Sequence, residues 1–135
     1  MRILVDTNVL VSAVVFDGSP EKLLKTLVEK NYRVFITTYI EKEFFDIIDL
    51  KWKDKADVLR GVFYKMDFSV LKSTDEVLGN LRDPKDIAVL SDALYYHADV
   101  ILTGDKDFLE SGYKTPKMLS VSDMWKIMNE QEGAL

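Results

Sequence analysis

Short apolar runs alternate along this chain with longer stretches whose apolar residues recur every three or four positions. The runs Ile3 to Val5, Val34 to Thr37, Phe68 to Leu71, Val100 to Thr103 and Met118 to Val121 have the length and continuity of buried parallel strands. Helical periodicity fills the gaps. A first helix is expected over Val9 to Val15, with Asn8 as its cap. Ser19-Pro20-Glu21 reads as a helix start, with serine at N-cap, proline at N1 and an acid in the first turn. Leu23, Leu24, Leu27 and Val28 then form one stripe. Thr38 opens a helix carrying Ile40, Phe44, Ile47 and Ile48, and Asp54 to Met66 forms a further amphipathic one. Asp83-Pro84-Lys85-Asp86 starts a helix that continues to about His97, and Ser122 caps the last. Strand–helix alternation of this kind predicts an α/β fold: a three-layer α/β/α sandwich around a mostly parallel sheet of about four or five strands.

Composition narrows the chemistry. The 135 residues are 47% hydrophobic and 30% charged, as expected for one globular domain spanning 1–135, with residues 130–135 a fraying tail. No apolar run is long enough for a membrane helix. A first strand at residue 2 leaves no room for a signal peptide. Cysteine is absent and His97 is the single histidine. Thiol catalysis, disulfides, cysteine-ligated zinc and multi-histidine metal sites are therefore excluded, and a cytoplasmic location is expected. The net charge of -5 weighs mildly against nucleic acid, unless several acids lie under a metal ion.

Acids at element boundaries are the candidate chemistry. Asp6 ends the first strand, and Asp105 closes the apolar run Asp99-Val100-Ile101-Leu102-Thr103-Gly104-Asp105. In an open α/β sheet the carboxyl ends of the strands line the ligand crevice. Asp6 reads equally as a helix cap and as a metal ligand. Glu43 falls at the edge of an apolar stripe and faces inward, unless it snorkels to water; Glu41 and Asp46 point to other, solvated faces. Asp86 fits a capping box with Asp83, yet it shares a helix side with Leu90, Ala93 and His97. Asp92 is rotated away and is expected to be exposed. Asp105 and Asp107 flank Lys106, either in a polar turn capping a short helix at Phe108 or at a binding site. Gly104 would allow a tight turn and close backbone approach to a ligand.

The order strand-end acid, inward helical acid, helix-start acid, strand-end acid resembles the PIN domain, a family of metal-dependent nucleases. The matching segments are Val5-Asp6-Thr7-Asn8, Thr38-Tyr39-Ile40-Glu41-Lys42-Glu43, Asp83-Pro84-Lys85-Asp86 and Thr103-Gly104-Asp105-Lys106-Asp107-Phe108. Within the family the chain looks most like the toxin-type, VapC-type ribonucleases. The resemblance implies that Asp6, Glu43, Asp86 and Asp105 are catalytic, metal-binding acids, with Asp107 as an accessory ligand and Asn8 and Thr103 as supporting polar residues. Mg²⁺ or Mn²⁺ would be the cofactor and RNA the substrate. A homodimer, formed through residues such as Trp52, Val62 and Phe63 unless these are core, and an antitoxin partner would follow. One departure stands out: the group often has a further acid after the third, where this chain has Ile87. Lys85, Lys106 and Arg82 lie beside the acids and could touch phosphates. Trp52, among Lys51, Lys53 and Lys55, could stack on a base or sit in a dimer contact. Two alternatives remain: a Mg²⁺-dependent haloacid-dehalogenase-like phosphatase, which would want an aspartate where Asn8 stands, and a non-catalytic PIN-like interaction module.

Overall fold

A computed structural model describes residues 1–66 and 68–133, and for residues 131–133 only the backbone. Five strands form one sheet: β1 (Arg2–Val5), β2 (Arg33–Thr37), β3 (Ser69–Leu71), β4 (Val100–Leu102) and β5 (Lys117–Leu119). Every neighbouring pair is parallel, in the order β3-β2-β1-β4-β5. The α-helices among the described residues are α1 (Thr7–Val15), α2 (Ser19–Glu29), α3 (Thr38–Lys51), α4 (Ala56–Lys65), α5 (Pro84–Tyr95), α6 (Lys106–Leu109) and α7 (Val121–Gly133), with a 3-10 turn over Lys53–Lys55 before α4. All five expected strands and all the expected helices form, with ends shifted by a residue or two. Ala134 and Leu135, in the tail expected to fray, lie outside the described residues.

The connections are laid down in two directions from β1. Chain 1–71 steps outward through β2 to β3, and right-handed crossovers then place α1 to α4 on one face. These helices pack on one another, and α7 packs on α2. The return from β3 to β4 carries α5 across the opposite face, where the Tyr96 ring meets Phe35 at 6.0 Å. Ile3, Leu4, Val5, Ile36, Ile101 and Leu102 are buried between the layers. Such burial is driven by removing apolar surface from water, which contributes about 25 cal/mol per Å².

Helix starts show the largest differences from the sequence reading. Asp6, not Asn8, caps α1: its carboxylate accepts from Thr7 N, and Asn8 is exposed. Gly18 caps α2, which frees Ser19 Oγ to accept from Trp125 Nε1 at 2.8 Å. The last helix is capped by Ser120 rather than Ser122. Ser120 Oγ accepts from Asp123 N at 3.1 Å, and Asp123 returns a carboxylate oxygen to Ser120 N at 3.4 Å, the reciprocal pair of a capping box. Gly104 lies outside the left-handed region and has open space around it, so no left-handed turn demands glycine there. Gly79 is different: a Cβ there would fall on the Leu90 side chain, so glycine lets the 72–83 loop lie directly on α5. Among the three residues considered for a dimer contact, Phe63 belongs to the core, Trp52 is half-buried edge-on to Phe16 at 6.0 Å, and Val62 is exposed.

Candidate functional site

β1 and β4 are neighbours whose following connections diverge, α1 to one face and α6 to the other. Such a switch point opens a crevice at the carboxyl edge of a sheet. The register Val5↔Leu102 brings Asp6 beside Thr103. Asp6 is buried, and both its oxygens are held: Oδ1 accepts from Thr7 N and Oδ2 from Thr103 Oγ1, each at 2.8 Å. Thr103 Oγ1 in turn accepts from Asp105 N at 3.0 Å, and Asp105 Oδ1 accepts from Asp107 N at 2.8 Å, capping α6. A single chain of hydrogen bonds thus runs from Asp6 through Thr103 to Asp105. The cap and the ligand readings of Asp6 and Asp105 are compatible, because a carboxylate oxygen that accepts one hydrogen bond keeps a further lone pair, and both residues line the cleft.

α5 delivers Asp86. Asp83 caps this helix by accepting from Lys85 N at 3.0 Å, as the sequence suggested. The reciprocal half of the capping box is missing: Asp86 Oδ2 is buried without a partner among the described residues. Carboxylate oxygens of Asp86, Asp105 and Asp107 all lie within 4.8 Å of one another. Glu43, from the inward side of α3, completes the wall of an open cleft of about 530 Å³, shared with Asp6, Asn8, Tyr39, Asp86 and Asp105.

The electrostatics follow from this crowding. Burial pushes the Asp6 carboxyl up from its ordinary value, the bonds from Thr103 and Thr7 pull it back, and the charges of Glu43 and Asp105 add to the rise. Asp86 is pushed up to about 6, first by burial and then by Asp105, Asp83, Asp6 and Asp107. Repulsion of this kind is relieved when a cation sits among the oxygens. The donor set, carboxylates without histidine or cysteine, suits a hard ion such as Mg²⁺ or Mn²⁺. An unpartnered buried oxygen on Asp86 fits the same role.

The structure therefore brings Asp6, Glu43, Asp86, Asp105, Asn8 and Thr103 to one edge, with Asp107 beside Asp105. It also corrects two expectations. Asp92 is 1% exposed, not solvated. Its carboxylate accepts from Ser73 Oγ and Thr74 N, each at 2.8 Å, and Ser73 Oγ accepts from Tyr39 N at 2.9 Å. Asp92 thus ties α5 to the start of α3, the two helices that carry Asp86 and Glu43. Asp46, although exposed and paired with Lys42 at 3.0 Å, lines the cleft. Tyr39 was overlooked in the sequence. Its spacing four residues before Glu43 on one helix was the available signal. Of the cations considered, Lys85 lines the cleft, and Arg82 and Lys106 do not.

A parallel α/β sheet with an acidic cleft at its switch point defines the class. Sequence comparison then gives the family: the PIN domain matches residues 2–107, so this chain belongs to the PIN domain family. That assignment displaces the dehalogenase-like reading. No curated protein sequence matches the chain. Among solved structures, it is similar to VapBC2 from Rickettsia felis bound to a DNA fragment from their promoter. The TM-score is 0.72 at 16% identity, covering 89% of this chain and 98% of that one. It is also similar to FitAB bound to the IR36 DNA fragment, with a TM-score of 0.58 at 14% identity over 88% and 94% of the two chains. Among the described residues no helix is long and apolar enough to cross a membrane.

Proposed function

We propose that the chain is a Mg²⁺- or Mn²⁺-dependent endoribonuclease that hydrolyses RNA phosphodiester bonds, acting as the toxin of a toxin–antitoxin pair. The observation that carries the reading is the convergence of Asp6, Glu43, Asp86 and Asp105 on one cleft, with an unpartnered Asp86 oxygen among them. Asp86, Asp105 and Asp107 would hold the cation most directly, with Asp6 and Glu43 lining the same cleft. When bound, the ion supplies an activated water and neutralises charge on the scissile phosphate.

The chain's own groups do the rest. Thr103 holds Asp6 and the Asp105 backbone in one orientation through its two hydrogen bonds. Lys85, Lys42, the amide of Asn8 and the hydroxyl of Tyr39 line the cleft and are the donors able to meet a phosphate oxygen there. Similarity to VapBC2 and FitAB supports an antitoxin partner; a homodimer and a cytoplasmic location complete the proposal. The test is cleavage of single-stranded RNA by the purified chain with Mg²⁺ or Mn²⁺, and with EDTA. Metal-dependent cleavage that is lost in Asp6→Asn is expected. Cleavage that persists in EDTA, or that Asp6→Asn leaves intact, would overturn the reading.

A further inference from the structure

The amino edge of the same sheet carries a second, oppositely charged recess. The register Arg2↔Arg33 places two arginines side by side on the sheet face that also carries Leu4 and Phe35. The amino ends of β2 and β3 stay open on this face, forming a cleft of about 700 Å³. Its walls are Arg2, Arg33 and the rings of Tyr32, Phe35, Phe68 and Tyr96. No carboxylate lines it among the described residues. Asp99, close by, spends its Oδ2 on Arg2 N at 2.7 Å.

Like charges set directly across neighbouring strands repel, and on a chain of net charge -5 many acids were available to relieve them. Among the described residues none makes an ion pair to Arg2 or Arg33. Arg2 Nη1 donates to Tyr96 O at 3.2 Å, which steadies that guanidinium at the mouth. A guanidinium pair matches the geometry of a phosphate, which it can hold bidentately, and the half-buried rings of Tyr32, Phe68 and Tyr96 offer an aromatic surface that accepts a base whatever its identity. The volume is that of a small-ligand site.

We propose that this recess binds a nucleotide unit, its phosphate between Arg2 and Arg33 and its base against the aromatic wall. The unit has two sources, a free nucleoside monophosphate or the 5′-phosphorylated end of an RNA strand. Calorimetry in EDTA, where the acidic cleft repels phosphate, reads this site alone and does not depend on nuclease activity. The probes are AMP, adenosine, inorganic phosphate, a 5′-phosphorylated oligoribonucleotide and its 5′-hydroxyl counterpart. Saturable binding of AMP is expected, tighter than that of either adenosine or phosphate. Arg33→Gln should weaken it by about tenfold or more through loss of the bidentate contact, and Arg33→Lys should restore only part. Both variants should fold, because the Arg33 backbone N–H, not its side chain, makes the bond to Met1 O. An oligonucleotide bound more tightly than AMP only when 5′-phosphorylated assigns the strand end; AMP bound at least as tightly assigns the free nucleotide. The proposal is overturned by absent AMP binding, by binding unchanged in Arg33→Gln, by phosphate binding as tightly as AMP, or by a glutamate-rich peptide binding where AMP does not.

Discussion

Asp86 and Asp92 lie on the same helix, both are buried, and their surroundings differ in one respect. Asp92 sits inside a closed set of donors, Ser73 Oγ and Thr74 N. Asp86 has an oxygen with no donor among the described residues and other acids for neighbours. Burial of a carboxylate is thus not itself a functional signal. A buried charge must find partners, and where the chain supplies them the residue is a brace. Where the chain supplies only more acids, the residue is left open to a partner from outside.

The sharpest way to break this contrast is to neutralise each acid in turn. Asp86→Asn should reduce RNA cleavage by about a hundredfold or more, since a charged oxygen ligand is lost, while the metal-free protein stays folded. Asp92→Ala should do the reverse. Stranding the Ser73 hydroxyl and Thr74 N–H should cost on the order of 3 kcal/mol of stability in urea unfolding, with the metal requirement of the remaining activity little changed. If Asp92→Ala destroyed activity at full stability, the contrast between the two residues would be wrong.

Metal sharpens the same comparison. Saturating Mn²⁺ at about a hundred times its dissociation constant should add about 2.7 kcal/mol of stability. The gain should survive in Asp92→Asn and vanish in Asp86→Asn, as read by thermal unfolding.

The pH dependence has a definite sign. Asp86 has a folded-state pKa of about 6, above its ordinary value of 3.8, so between about pH 4 and 6 the native state binds more protons than the unfolded one. The metal-free protein should therefore lose stability, on the order of 2 kcal/mol, as pH rises through that window. Asp86→Asn should flatten the loss. Because ligands must be deprotonated, metal affinity should climb over the same interval. A metal-free protein whose stability rises steadily from pH 4 to 6 would contradict the crowding of these acids.

The two aspartates also mark how far the sequence could be read. Strand-end positions are visible in a sequence because an apolar run stops there, and so Asp6 and Asp105 stood out. Asp86 was legible from the helix start that precedes it. Asp92 was misread because helical periodicity reports only which way a residue points, and its partners come from a loop 18 or 19 residues away in the chain. Ser120 was missed as a cap for a related reason: the apolar run Met118 to Val121 extended the expected strand past its end at Leu119. The amino-edge arginines gave no signal, since only the register of β1 and β2 makes them neighbours.

Thr103 offers the smallest and most specific test. Its buried hydroxyl donates to Asp6 Oδ2 and accepts from Asp105 N, so it couples the two strand-end acids. Thr103→Val keeps the branched shape that β4 packs but removes both bonds. The loss in stability should be on the order of 1–2 kcal/mol, less than for Asp92→Ala. Asp6 should also move further up in pKa, because the bond from Thr103 is the larger of the two that hold it down. The measurable consequence is a shift in the acid limb of the cleavage profile toward higher pH and a weaker apparent metal affinity, while Thr103→Ser, which restores the hydroxyl, should return both toward the parent values. A Thr103→Val protein with an unmoved profile would mean that Asp6 is oriented by its own turn alone.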